Sequence, residues 1–213
     1  MIEAISAAQA SQFPEEIEAM HRLRHRVFVE KLNWVEGSAD GLERDLFDDL
    51  NPIYLLARGD RGNVIGTWRL LPTTGPYMLR NVFDELLAGA PAPAHARLWE
   101  GSRYAVDGAV QEAGGLGAVS RASRELFCGL VELCLELGIE EVLTVYDVHI
   151  ARLLNRLGCK PTWCTGRRRI GNTLAMAGRF DISEAVLENL RAKAGIDGPV
   201  LHSRLLDTIQ KAA

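Results

Sequence analysis

The chain lacks a C-x-x-C pair, an H-E-x-x-H motif, an internal repeat, and any charge-free apolar run long enough for a membrane span. Each absence excludes something. The cysteines are Cys128, Cys134, Cys159 and Cys164. Cys128 and Cys134 fall in an apolar helical pattern, separated by ~600° of helical turn, so they cannot share a metal. All four are expected to be buried small hydrophobes in a reducing compartment, and no metal site is expected. The most apolar stretch, 126–143, is broken by Glu132, Glu136, Glu140 and Glu141, which argues against a membrane partner. The opening MIEAISAAQA carries Glu3 where a secretory leader would be positive, so a cytoplasmic location is expected. Positive charge is not in excess either: 24 Lys plus Arg face 28 Asp plus Glu, a formal net charge of −4. Nucleic acid is therefore not an expected partner.

What is present suits one compact domain spanning residues 1–213, with 47% hydrophobic and 24% charged residues. Pro14, Glu15 and Glu16 open a helix whose apolar stripe is Ile17, Met20, Leu23 and Val27. Periodicity then fails from Lys31 to Asp49, a length of loop that is usually functional or disordered. A hairpin over 53–58 and 64–71, a short helix near 79–87 and a strand over 97–106 follow. Next come a glycine-rich turn at Gly114–Gly117, a long helix ending at Gly138, a strand over 141–146 and a helix ending at Gly158. Strands near 159–165 and 169–176, a helix capped by Asp181 with Glu184, and a loosely docked helical tail over about 196–213 complete the order. That order predicts a three-layer α/β/α sandwich around a mixed sheet.

Three clusters carry possible chemistry. Arg24, Phe28, Trp34, Asp45, Asp48 and Arg69 surround the aperiodic stretch and suit a small zwitterion bearing an aromatic ring. The plainer alternative is a surface loop pinned by Trp34 with solvated acids, and a divalent cation on Asp45, Asp48 and Asp49 is a weaker one. The second cluster is Trp99-Glu100-Gly101-Ser102-Arg103. A regular strand would send Glu100 and Arg103 to opposite faces, whereas a bulge permitted by Gly101 would re-aim Arg103. An ordinary edge strand is the alternative. In the third, Glu112-x-x-Gly115-x-Gly117 matches in spacing the phosphate loop of GNAT acetyltransferases, Q/R-x-x-G-x-G/A, but carries Glu at its first position. A plain turn reads as well.

Together these residues resemble the acyl-homoserine lactone synthases, the LuxI-type autoinducer synthases. That family's R-x-x-x-F-x-x-x-x-x-W is matched by Arg24, Phe28 and Trp34, and its D-x-x-D by Asp45 and Asp48. Its hairpin arginine is matched by Arg69, and its E-x-S-R strand by Glu100, Ser102 and Arg103, with Phe83 between. The resemblance implies a GNAT-like fold whose amino-terminal part, about 1–50, is flexible and binds S-adenosylmethionine. It implies acylation of that substrate's amine by an acyl thioester, on acyl carrier protein or coenzyme A, and lactonisation that releases 5′-methylthioadenosine. S-adenosylmethionine is a substrate, and no cofactor is implied.

By the same resemblance Glu100 takes the amine proton, Asp45 holds the ammonium beforehand, and Arg103 completes the catalytic group. Arg24, Asp48 and Arg69 organise the cleft, Phe28, Trp34 and Phe83 enclose the nucleoside, and Ser102 borders the substrate. The acyl chain lies near Tyr104, Phe127, Thr144 and Tyr146, with Thr144 reading a 3-oxo group; core packing for Phe127 and simple strand propensity for Thr144 are the alternatives. Gly101 departs from the larger apolar residue many relatives carry. The basic residues Arg152, Arg156, Lys160, Arg167, Arg168 and Arg169 suit a docking surface for an acidic carrier, against the plainer reading of a solvated face. Two competing functions are an acetyl-CoA-dependent N-acetyltransferase and a degenerate, non-enzymatic family member.

Overall fold

The computed structural model describes residues 1–108 and 119–203. The chain opens with β1 (Ile2–Ser6), which the sequence reading did not expect, and a 3-10 turn leads to α1 (Pro14–Arg24). Without a break α1 continues into a π-helical segment, His25–Lys31. After the aperiodic stretch come a 3-10 turn (Leu46–Asp49), the hairpin strands β2 (Ile53–Arg58) and β3 (Val64–Pro72), and the short helix α2 (Met78–Asn81). Then follow β4 (Leu98–Val106), α3 (Arg121–Glu136), β5 (Glu141–Asp147) and α4 (Val148–Arg156). The remainder is β6 (Trp163–Cys164), β7 (Arg168–Ile170), β8 (Thr173–Asp181), α5 (Glu184–Ala194) and β9 (Leu201–Ser203).

The strands form one mixed sheet in the order β6-β8-β5-β4-β3-β2-β1-β9, with β7 paired to β8. Parallel pairing occurs at β4–β5 and β1–β9. One face buries its apolar residues against α3, α4 and α5, through Leu126, Phe127, Leu130, Leu153, Leu154, Leu187 and Leu190. The other lies under α1 and the short helical turns, through Met20, Leu23, Phe28, Leu79, Phe83 and Leu86. These are the three layers expected.

Local chemistry sets the ends. Ser120 Oγ accepts from Ser123 N to start α3, and Gly138 leaves it at φ 66°. Asp147, the last residue of β5, caps α4 by accepting from His149 N and Ile150 N. α5 is capped by Ser183, which accepts from Val186 N, and not by Asp181. A hydroxyl one residue from the helix reaches the free N–H groups that Asp181, still in β8, cannot. The tail also differs: β9 docks on β1, and Glu132 accepts from Val200 N at 3.0 Å and Leu201 N at 2.8 Å. Cys128 and Cys134 are buried, but Cys159 is half-buried and Cys164 is exposed on the short edge strand β6, so two of the four thiols are not core residues.

Two features of the sheet make room for a site. β4 and β5 pair only from Leu98↔Glu141 to Gly101↔Thr144, after which the parallel strands part. Between Thr67 and Arg69 the β3–β4 register slips by one residue, and Arg103 sits there at φ 57°. The bulge anticipated for this strand is therefore centred on Arg103 itself, with Gly101 two residues earlier in regular pairing. A left-handed arginine is uncommon and costs order 1 kcal/mol, a strain that collects at functional sites.

Candidate active site

The bulge turns Arg103 to the face that Glu100 and Ser102 already share, beneath α1. There it meets Arg24, the last residue of α1, and Arg69 of β3. Glu43, Asp45 and Asp48 arrive from the aperiodic stretch, and the six side chains close into a ring of alternating sign. Arg24 Nε donates to Glu43 at 2.5 Å, and Glu43 accepts from Arg103 Nε at 2.9 Å. Arg103 meets Asp45 at 2.8 Å, and Asp45 accepts from Arg69 at 2.5 Å. Arg69 donates to Asp48 at 2.9 Å, and Asp48 returns to Arg24 through two bonds of 2.8 and 2.9 Å. Three guanidinium forks thus face three carboxylates in the bidentate style that suits arginine. The ring is nearly dry: Arg24 and Arg69 are 0% exposed at the side chain and Asp45, the most open member, 17%.

Burial of this kind is tolerable only because every charge is matched. Burial alone would raise the Asp48 carboxyl, yet Arg24 and Arg69 hold it well below the usual carboxylate range, and Tyr54 donates to it at 2.9 Å. Burial works likewise against Glu43, and the charges of Arg103 and Arg24 win. Arg103 shows the opposite balance, desolvation lowering it despite Glu43 and Asp45. With three guanidinium groups on Asp45 and Asp48, a divalent cation there would face like charge.

Glu100 stands beside the ring but outside it. Its two oxygens accept from Met78 N and Leu79 N, both at 2.8 Å, which fixes the start of α2. It is 1% exposed, and burial pushes its carboxyl up to about 7 against the pull of those N–H groups and of Arg69 and Arg103. A carboxyl poised near neutrality has the proton affinity of a general base, and two of its lone-pair sites remain open. Met78, fixed by the same turn, places its sulfur 3.2 Å from Arg69 Nη2 and 3.1 Å from Arg103 Nη1.

A cavity of about 650 Å³ starts at this cluster and passes between the parted strands into the α3 face. Its polar end is lined by Glu100, Ser102, Arg103 and Met78 and walled by Phe28, Trp34 and Phe83, Trp34 lying 6.1 Å from Phe28 and 5.9 Å from Phe83 between ring centres. Its apolar end holds Trp68, Tyr104, Phe127, Leu130, Thr144, Tyr146 and Leu154. Trp68, Tyr104 and Phe127 pack mutually with centroids 4.9 to 5.4 Å apart. Trp34 Nε1 and Trp68 Nε1 are buried with no hydrogen-bond partner among the described residues.

All the residues anticipated for substrate and acyl chain thus meet around one cavity, in two ranks: Phe28, Trp34, Phe83, Glu100, Ser102 and Arg103 line it, whereas Arg24, Asp45, Asp48 and Arg69 stand behind as the ring. Arg152 and Arg156 are exposed on α4, Lys160 is exposed at the cavity rim and Arg168 is exposed on β7, so the basic residues belong to a different surface. The glycine turn with Gly115 and Gly117 lies outside the described residues. Sequence reasoning missed Glu43, Tyr54, Met78 and Trp68. Glu43 had a signal: three clustered arginines need a third acid beyond Asp45 and Asp48.

Residues 9–190 match the family model described as autoinducer synthase. The chain is 36% identical over 188 residues to a probable acyl-homoserine-lactone synthase of Sinorhizobium fredii, covering 88% of this chain and 90% of that protein. It is 36% identical over 186 residues to the acyl-homoserine-lactone synthase of Agrobacterium fabrum, covering 87% and 88%. Among solved structures, BjaI, a CoA-dependent acyl-homoserine lactone synthase determined with SAM and isopentyl-CoA, superposes with a TM-score of 0.83 at 31% identity, covering 100% of this chain and 98% of that one.

Proposed function

The chain belongs to the autoinducer synthases, with their GNAT-like fold and acyl-homoserine-lactone synthase activity, and on that premise we propose how its residues divide the work. The observation that carries the reading is the joining of a charge-matched polar end and a long apolar end in one cavity, which suits a charged amino-acid substrate and an acyl chain meeting between them. S-adenosylmethionine takes the polar end. Phe28, Trp34 and Phe83 enclose its nucleoside, and Asp45, the most exposed carboxylate of the ring, receives its ammonium. Arg24, Asp48 and Arg69 are positioning residues, fully engaged with one another.

The chemistry follows from the need for a neutral amine. Glu100, directly or through water, takes a proton from the ammonium. The freed nitrogen pair attacks the thioester carbonyl, the C–N bond forms, and the C–S bond breaks to release the carrier thiolate, which is reprotonated. Ser102 and Arg103 border that centre. The substrate carboxylate oxygen then attacks its own γ-carbon, and the sulfonium leaves as neutral 5′-methylthioadenosine. Since both leaving groups depart readily, positioning contributes more than acid catalysis.

The acyl chain lies along Tyr104, Phe127, Thr144 and Tyr146, and either acyl carrier protein or coenzyme A presents it. A plain acetyltransferase would have no use for so long an apolar end. The test is direct: purified protein is incubated with S-adenosylmethionine and a panel of acyl-CoA and acyl-carrier-protein donors. Release of methylthioadenosine dependent on both substrates is expected; acetyl transfer without it would overturn the reading.

A further inference from the structure

Met78 touches both halves of the polar site. Its backbone N–H donates to Glu100 Oε2 at 2.8 Å, while its buried side chain leads to the ring. There the sulfur accepts from Arg69 Nη2 at 3.2 Å and from Arg103 Nη1 at 3.1 Å. Arg69 gives Nε to Ser102, Nη1 to Asp45 and Asp48, and Nη2 to Asp45, so the last of its five N–H groups goes to the thioether. For Arg103 the sulfur is the sole partner of Nη1 among the described residues, Nε and Nη2 being held by Glu43 and Asp45.

A thioether is a weak, uncharged acceptor for two buried cations, and a stronger one stands close by. Glu43, Asp45 and Asp48 all take guanidinium groups, whereas Glu100 takes only the two backbone N–H groups that open α2. Burial acts to raise Glu43, Asp48 and Glu100 alike. Arginine contacts hold Asp48 and Glu43 below the ordinary range, while Glu100, with no guanidinium bonded to it, rises to about 7. The other neighbours of Glu100 offer the arginines no substitute. Leu71 on β3 and Leu143 on β5 flank it across the sheet, Tyr77 gives its hydroxyl to the Pro93 carbonyl, and Arg80 of α2 is exposed. Arg69 and Arg103 are the charges that reach it, and the Met78 side chain lies between.

We propose that Met78 is a positioning residue for the base: its sulfur takes the arginine N–H groups that would otherwise turn to Glu100, leaving that carboxyl free to accept a proton. A guanidinium bonded to Glu100 would favour the ionised form and weaken it as a base, as it does for Asp48. The proposal rests on the reading of Glu100 as the base.

The test is the pH profile of kcat, followed by methylthioadenosine release. Because the base acts when ionised, turnover rises as pH passes through its titration. Met78→Leu is a volume-conserving exchange that removes only the acceptor. It should move the rising limb down by about one pH unit or more, and lower the plateau kcat several-fold. Met78→Gln sets a carbonyl oxygen in the sulfur's place and should keep the limb near its wild-type position. Should the Leu variant not fold, biosynthetic replacement of methionine by norleucine, which exchanges S for CH2, should give the same downward shift. A limb that does not move down without the sulfur overturns the role of Met78, as does an equal shift in the Gln variant, which would trace the effect to packing. A wild-type limb that persists in Glu100→Gln overturns the base reading itself. A limb that Glu100→Gln abolishes but Met78→Leu leaves in place overturns Met78 alone.

Discussion

Glu100 and Glu43 are both buried carboxylates, and their surroundings give them opposite behaviour. Glu100 is raised from an ordinary 4.5 to about 7, so the folded state holds its proton more tightly than the unfolded chain. Stability from that proton is complete below about 4.5 and is lost as pH rises through about 7, a change of up to about 3 kcal/mol. Urea unfolding at pH 5 and pH 8 should show it in the wild type and not in Glu100→Gln. The same ionisation should give turnover a rising limb near pH 7, and in Glu100→Gln the limb should vanish with a loss of ~10²-fold or more. Because Gln also sets an N–H against a backbone N–H of α2, the lost limb, more than the lost rate, identifies the base. A limb that persists in the variant refutes the assignment. Glu43, by contrast, is held ionised by Arg24 and Arg103. Glu43→Gln strands two buried guanidinium groups and should cost about 3–5 kcal/mol in denaturant unfolding. Glu18→Gln, which breaks only the exposed Arg22 pair, should cost under about 1 kcal/mol. Arg24, Asp45, Asp48, Arg69 and Arg103 were legible as spaced residue types. The place of Glu43 was legible only as an electrostatic need, a third acid for three arginines, because it reaches Arg24 and Arg103 from a stretch without periodicity.

Elements with internal chemistry were legible and those defined by remote pairing were not. α3 and α4 announce themselves by apolar stripes and terminal glycines. β1 exists by pairing with β2, and β9 by pairing with β1 at the sheet edge, information that three to five residues cannot carry. The aperiodic stretch is likewise fixed from afar. Trp34 N donates to the Phe28 carbonyl at 2.9 Å, closing the turn after the π-helical segment, and Asn172 N donates to the Leu32 carbonyl at 3.1 Å. Gly171, at the turn between β7 and β8, has φ 51°, and a Cβ there would lie 2.3 Å from the Asn33 carbonyl oxygen. Gly171→Ala should therefore push the turn off the Trp34 segment, raising KM for S-adenosylmethionine several-fold while Tm falls only slightly. Steady-state kinetics and a thermal melt check this, and an unchanged KM would show that the turn does not support the nucleoside wall. Hydrogen exchange over 31–49 should slow at saturating S-adenosylmethionine, since the substrate closes the remaining side of that wall.

At the scale of the whole molecule the charges separate. The net charge is −4, yet Arg152, Arg156, Lys160, Arg167, Arg168 and Arg169 gather on α4 and the β6–β8 end of the sheet, all exposed. Lys160 also lines the cavity rim, so this basic region adjoins a mouth of the proposed acyl passage. An acidic carrier drawn to such a region gains mainly in association rate. A protein carrier spreads over the exposed helix, whereas coenzyme A brings only a few phosphates and a smaller footprint. Arg152 and Arg156 lie one turn apart on α4, away from buried Leu153 and Leu154, so reversing both to Glu leaves the core intact. The double variant should raise KM for acyl carrier protein at low salt, leave KM for acyl-CoA near wild type, and keep kcat with both donors. The effect should fade as salt passes ~0.1 M, where the screening length falls to ~10 Å. Equal KM values for wild type and variant with both carriers at low salt would mean that docking occurs on another surface and that this region is merely solvated.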